Sequence, residues 1–357
     1  MLRIDEPFHG AVLSRRHGVQ DERGLTIPVT GRAPLDRRVT VNGVEAVREG
    51  ERFSAEVPVT AREQDISAVM DGTLGRVEHT VRVVWDRDSR PRWRFSIDDN
   101  VYWLRDVART GYDSLFDCFY LAMLRGFHER YGAKFTVNIY FEAEDGWLLT
   151  EFPERYRAEF EANADWLVLA CHAYANEPDR PYQYASPQKL IDDIRTVDEQ
   201  IVRIAGEATL APPTVIHWGM VVPAALPALY DYGVRVLSGG FRAGPGGRDV
   251  NYWQDEERSE WIARNEALKD FESGIVFSNI DLCGNRVPLA EIEPSLGTIA
   301  ADPRTAEIMD LFTHEQYFWP FYRNYIPDHA QRLDAMIRWV TERGYEPVLF
   351  HEGFLGI

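Results

Sequence analysis

Lysine is nearly missing from this chain of 357 residues: of 39 basic residues only Lys134, Lys189 and Lys269 are lysines. That skew carries no functional reading. Basic charge is scarce as a whole. Against 57 acidic residues the net charge is −18. Phosphate backbones and anionic lipid surfaces are held by clustered cations, so nucleic-acid and membrane-surface partners are not expected. There is no run of the roughly 18–20 apolar residues that a membrane helix needs. The opening MLRIDEPFHG has neither a basic start nor an apolar stretch, so no secretion signal is expected. Cysteine is sparse: Cys118, Cys171 and Cys283 are widely spaced and form no CxxC pair. A disulfide framework or a cysteine zinc site is therefore excluded, and a reducing cytoplasm is the expected setting. What is present is ordinary for a globular protein and too apolar for disorder: 45% hydrophobic and 27% charged residues.

The pattern changes near residue 88. Before it, short β-type runs at 25–29, 39–41, 53–59, 66–70 and 77–85 are broken by turn signals such as Asn42-Gly43 and Asp71-Gly72. Several short strands without a helix predict a small all-β sandwich, immunoglobulin-like, over 1–88. Residues 86–91 read as a linker. Beyond them strands and helices alternate. Strands are expected at 93–97, 135–141, 166–171, 214–216, 234–237, 275–278, 308–312 and 347–350. Helices are expected across most of 101–131 and at 187–205, 224–232 and 329–343. Ser186, Pro187 and Gly206 supply the N-cap, first position and stop of the second of these. This order predicts an α/β domain over 92–357 with a parallel sheet closing into a barrel. Gly244 to Gly247 does not link a strand to a helix and reads as a mobile loop rather than a phosphate cradle.

Parallel barrels keep their chemistry at the C-terminal ends of the strands. The residues expected just past those ends are Asp98-Asp99-Asn100, His172, His217, Asn279 and Asp281, His314-Glu315, and His351-Glu352. Four of nine histidines thus fall on one expected rim. Each has a plainer reading as well. Asp98-Asp99 suits a helix N-terminus, and His172 and His217 suit a hydrogen-bonded core position. Both aspartates reach one site only if the chain turns between them, because strand residues alternate sides. Aromatics crowd the same region, with Tyr174, Trp218 and Trp319 among them, and would serve to stack on sugar rings.

Phe95-Ser96-Ile97-Asp98-Asp99 resembles the Thr-Phe-Asp-Asp motif of the polysaccharide deacetylases, a family of carbohydrate esterases. His172-Ala173-Tyr174-Ala175-Asn176 resembles that family's His-Ser/Thr-x-x-His motif. Residues 214–223 and 226–237 resemble its third segment with the helix and strand after it, and Leu311-Phe312-Thr313-His314 resembles its late Leu-x-His motif. The resemblance covers about 92–357 and implies a distorted seven-stranded (β/α) barrel. It further implies Asp98 as general base, His314 as general acid, and Asp99 and His172 as ligands of a divalent metal, zinc above all. His217, Trp218, Tyr174, Trp319 and Glu315 would then contact a carbohydrate or small amide substrate. Two positions depart from the pattern. Asn176 replaces the family's second metal histidine, and the arginine of the third motif is missing, with His217 and Trp218 nearby. Either Asn176 completes the metal sphere, or His217 substitutes for it, or the metal is lost.

The function expected is removal of an acyl group from a carbohydrate by attack of a metal-activated water. Hydrolysis of small cyclic amides or ureides is the alternative within the same chemistry. A carbohydrate-binding protein without a metal is the alternative outside it. A glycoside hydrolase drawing a carboxylate pair from Asp98, Asp281 and Glu315 ranks last, since no spacing supports it.

Overall fold

Alternating burial organises the first 85 residues. Leu25–Arg32 and Arg52–Val59 turn every second side chain inward and pair antiparallel. Arg3–Glu6, Val19–Gln20 and Val47–Glu49 complete their sheet. A second five-stranded sheet holds Val12–Leu13, Gly75–Trp85, Glu63–Gly72, Val39–Val41 and Val44–Glu45. Leu25, Ile27, Val57 and Val59 from one sheet and Val39, Ile66, Ala68 and Val83 from the other share one apolar core. These facts come from a computed structural model, which describes residues 1–35, 37–72, 75–241 and 250–352. The glycine-rich stretch 244–247 lies outside them.

The rest of the chain is mixed α/β around a larger core running from Trp93 to Val340. Its main sheet is parallel, in the order Leu167–Ala175, Phe135–Glu142, Arg92–Asn100, Ile308–His314, Leu282–Cys283, with Glu346–Pro347 beside the start of the central strand. Phe135–Glu142 and Leu167–Ala175 are buried over nearly their whole length, as strands covered on both faces are. A smaller sheet holds Val236–Gly239, Val276–Asn279 and Ala267–Lys269.

Several expected elements shift. The helical stretch after residue 101 is broken at Gly111, whose φ of 70° closes Tyr102–Thr110; a 3₁₀ turn then leads into Phe119–Tyr131. Residues 214–216 are not a strand. Pro212 and Pro213 have no N–H to give a ladder. The segment still bridges two strands, because the Ala211 amide donates to the Leu169 carbonyl and the Ser238 amide to the Thr214 carbonyl. The expected last strand shrinks to Glu346–Pro347 and passes into a 3₁₀ turn, Phe350–Glu352. Pro187–Ala205 appears as expected, with the Ser186 side chain accepting from the Lys189 amide. The helices Glu256–Asn265 and Leu289–Ala301 and the strand Ala267–Lys269 had no expectation attached to them.

Candidate metal centre and hydrolytic site

The central strand ends in Asp98-Asp99-Asn100, and there its path breaks. Its pairing with Phe135–Glu142 slips between Ile97 and Asn100, and Asp99 takes a left-handed φ of 61°. That is the turn two consecutive carboxylates need to reach one site. Both line a single cavity of about 1820 Å³, together with His172, Asn176, His217, Trp218, Asp281 and His314.

Asp99, His172 and His217 offer one donor atom each within 4.8 Å of one another. Asp99 Oδ1 lies 3.0 Å from His172 Nε2 and 3.5 Å from His217 Nδ1. The two ring nitrogens are 3.0 Å apart. Donors about 2.1 Å from a common ion stand about 3.0–3.4 Å from each other in octahedral or tetrahedral geometry. Two imidazoles and a carboxylate are also the donor types of an open catalytic zinc site. The residues therefore fit a divalent ion. His217, expected to contact substrate, sits in the donor trio instead. Asn176 Oδ1 lies beside the trio, 3.3 Å from the hydroxyl oxygen of Tyr140.

The electrostatics agree with this donor set. Burial alone would raise the Asp99 carboxyl, but the His172 hydrogen bond and the neighbouring imidazoles hold it well below the usual carboxylate range. Burial, helped by His172, pushes His217 down to about 3, which leaves it neutral with one ring-nitrogen lone pair to offer. Burial also opposes protonation of His172, yet Asp99 and Asp98 raise it. Tyr140 and Gln316 orient Asp99: the tyrosine hydroxyl donates to Oδ1, and Gln316 Nε2 donates to Oδ2 at 2.8 Å.

The proposed acid and base stand on adjacent strands, with Asp98 the register partner of His314. Asn138 Nδ2 donates to Asp98 Oδ1 at 2.7 Å, and Thr214 Oγ1 donates to Asn138 Oδ1 at 3.2 Å. Asp98 Oδ2 has no hydrogen bond among the described residues. Asn285 Oδ1 takes the Thr313 hydroxyl, the Cys283 thiol and His314 Nδ1, the last at 2.8 Å. An amide oxygen can only accept, so Nδ1 of His314 is the protonated nitrogen and Nε2 is left for substrate. Tyr140, Asn138, Gln316 and Asn285 escaped the sequence reading. An asparagine or tyrosine inside an apolar strand run leaves only a weak signal.

Three expected contacts fall away. Glu315 is fully buried and off the cavity wall. It accepts from the amides of Val101, Tyr102 and Trp103 at 2.7, 2.8 and 2.6 Å, and from Trp319 Nε1 at 2.9 Å. It caps the helix Tyr102–Thr110. Trp319 packs against Phe119, Tyr102 and Phe321. Tyr174 packs on Phe141. Neither is part of the cavity wall. Trp218 is, with the Arg180 guanidinium 4.4 Å over its ring. Asp281 lines the cavity, but burial, helped by the nearby Asp310 charge, raises its carboxyl well above normal. With Glu315 occupied, the glycosidase pair loses a member. His351 is exposed, next to the Lys134–Glu352 ion pair.

No family model matches the chain, and no curated protein matches it. Among solved structures, a Bacteroides fragilis chain assigned without proof as an alpha-galactosidase is 12% identical, with 96% of this chain and 78% of that one covered at a TM-score of 0.25. A beta-glucuronidase of Bacteroides uniformis is 17% identical at a TM-score of 0.19, and the match takes in 27% of this chain and 11% of that one. Titin domains z1z2 in complex with telethonin match at 10% identity and a TM-score of 0.18, over 27% of this chain and 57% of that one. Likeness this slight carries no argument about fold or function, so the chain stands on its own geometry.

Proposed function

We propose that the chain is a divalent-metal-dependent hydrolase of the deacetylase type, taking an acyl group from a carbohydrate. The observation that carries this reading is the Asp99–His172–His217 donor trio, bordered in one cavity by Asp98 and His314. An ion held by the trio, zinc foremost, supplies Lewis acidity that acidifies water and polarises an acyl carbonyl. Asp98, steadied through Oδ1, accepts the water's proton on its free Oδ2. His314 keeps its Nδ1–H on Asn285 and aims Nε2 at the leaving group; in its doubly protonated form it gives the Nε2 proton to that group and is left as the neutral ring. Trp218 offers an aromatic face for a sugar ring. The metal-free binding reading rested on Asn176 standing where the family has a histidine; against it, His217 brings a second imidazole to the donor trio. Ureide hydrolysis has no observation in its favour beyond the shared chemistry.

The same proposal covers architecture. Segments 92–100, 135–142, 167–175, 276–283 and 308–314, with 236–239 and the irregular 211–216, are linked by strand pairing and single backbone hydrogen bonds, which supports the barrel reading. We read them as a distorted seven-stranded barrel, and 1–88 as an immunoglobulin-like accessory domain. No described helix is long and apolar enough to cross a membrane. A cytoplasmic setting is part of this proposal.

Acetate release from N-acetylated and O-acetylated saccharides, with hydantoin as the ureide control, tests it on zinc-loaded protein. Asp98→Asn and His314→Ala are expected to lower turnover about 100-fold or more while zinc is retained. Full activity in either variant, or in protein stripped of metal, would defeat the mechanism.

A further inference from the structure

The cavity is polarised along its sheet. The acids Glu144 and Glu177 line it just past the strands Phe135–Glu142 and Leu167–Ala175, toward one edge. Arg286 and Arg323 line it from the segments after Leu282–Cys283 and Ile308–His314, toward the other. Other arginines of this region are already matched. Arg105 lies 3.1 Å from Asp145, Arg180 lies 2.5 Å from Asp179, and Arg332 lies 3.0 Å from Asp328. Among the described residues, Arg286 and Arg323 have no ion pair and no side-chain hydrogen bond. In a chain of net charge −18, two unmatched guanidinium groups on one wall of a cavity stand out. Both guanidinium groups are exposed where they line the cavity, so a solute entering it can reach them.

We propose that Arg286 and Arg323 form an anion subsite, so that the carbohydrate taken here carries a carboxylate, sulfate ester or phosphate apart from its acyl group. This deepens the hydrolytic reading and rests on it. A guanidinium gives a planar fork of donors that matches all three anions. Two such forks about the His314 edge hold the charged end of a sugar while its acyl group lies toward the donor trio. A neutral sugar leaves them to water and gains nothing from them. The acids of the opposite edge repel the charged end and so fix which way round the sugar lies.

Calorimetric titration at low salt tests this with matched probes: N-acetylglucosamine, its 6-sulfate, its 6-phosphate and the corresponding uronic acid. At least one anionic probe is expected to bind tenfold or more tightly than the neutral sugar. Arg286→Gln and Arg323→Gln should each remove about three- to tenfold of that preference, leave the neutral sugar's affinity unchanged, and keep the wild-type melting temperature. The preference should shrink as salt rises. The three anionic probes separate the sources of the charge. Equal affinity for neutral and charged sugars, a preference that survives the double variant, or no binding of any probe would overturn the subsite. Acetate release from the neutral sugar by zinc-loaded protein, with no anion preference, would sink this inference and leave the hydrolytic reading standing.

Discussion

Two substitutions separate the side chains that would hold the ion from those that would only neighbour it. His217→Ala is expected to weaken zinc binding about 100-fold or more, as loss of Asp99 or His172 would. Asn176→Ala is expected to change it less than about tenfold. Competition with a chromophoric chelator reads both, and the opposite ranking would return Asn176 to the metal sphere. Glu315→Ala tests a different role. It leaves three helix amides and an indole N–H without their shared acceptor, at a cost of about 3 kcal/mol or more in stability. Chemical denaturation would register that loss, and zinc affinity measured below the melting range would not change. At this scale the sequence was legible where chemistry is rare. Paired aspartates and few histidines stand out in any chain, so Asp98, Asp99, His172 and His314 were found. Glu315 misled because its position beside His314 could not reveal that it points back at the start of a helix.

The helix Pro187–Ala205 carries a buried acid that makes stability depend on pH. Burial pushes Asp198 up to about 7, while the Tyr232 hydroxyl donates to Oδ2 at 2.8 Å and Oδ1 has no partner. The unfolded aspartate releases its proton near about 3.9. Between these values the folded chain binds the extra proton, so stability falls as pH rises from about 4 to about 7. Asp198→Asn is expected to flatten that slope and to raise the melting temperature at pH 8; an unaltered profile would rule Asp198 out as its source. Ser186→Ala, which removes the N-cap of the same helix, is expected to cost about 1 kcal/mol by denaturant titration. Elements with caps and a regular period could be read in advance, and this helix was. Residues 211–216 could not. Their apolar run suggests a strand, but Pro212 and Pro213 deny it a ladder, and only tertiary partners decide how the segment then hydrogen-bonds.

Across the whole molecule, the β-rich start is bound to the α/β part through buried charge. Glu307, at the entry of Ile308–His314, takes the Arg15 guanidinium at 2.6 Å, Arg16 at 3.1 Å and the Ser89 hydroxyl. Asp86 takes Arg92 at 2.7 Å, with both side chains buried. Glu307→Ala is expected to cost about 1–2 kcal/mol, because its arginine partners are half exposed and only the Ser89 hydroxyl is left buried without its acceptor. Calorimetry should show the melting transition lowered, and an unchanged transition would mean that these contacts do not couple the two parts. The change of pattern near residue 88 was visible in the sequence because strand alternation gives way to strand–helix alternation there. These ties were not visible, since arginines at 15 and 16 carry no sign of a partner almost three hundred positions away. Arg92 opens the strand that closes in Asp98-Asp99, so the chemistry hangs from a rod whose foot is clamped by the neighbouring layer. Anyone trimming this protein to a minimal catalyst would reach for scissors at residues 86–91, and that cut would loosen the root of the very strand they meant to keep.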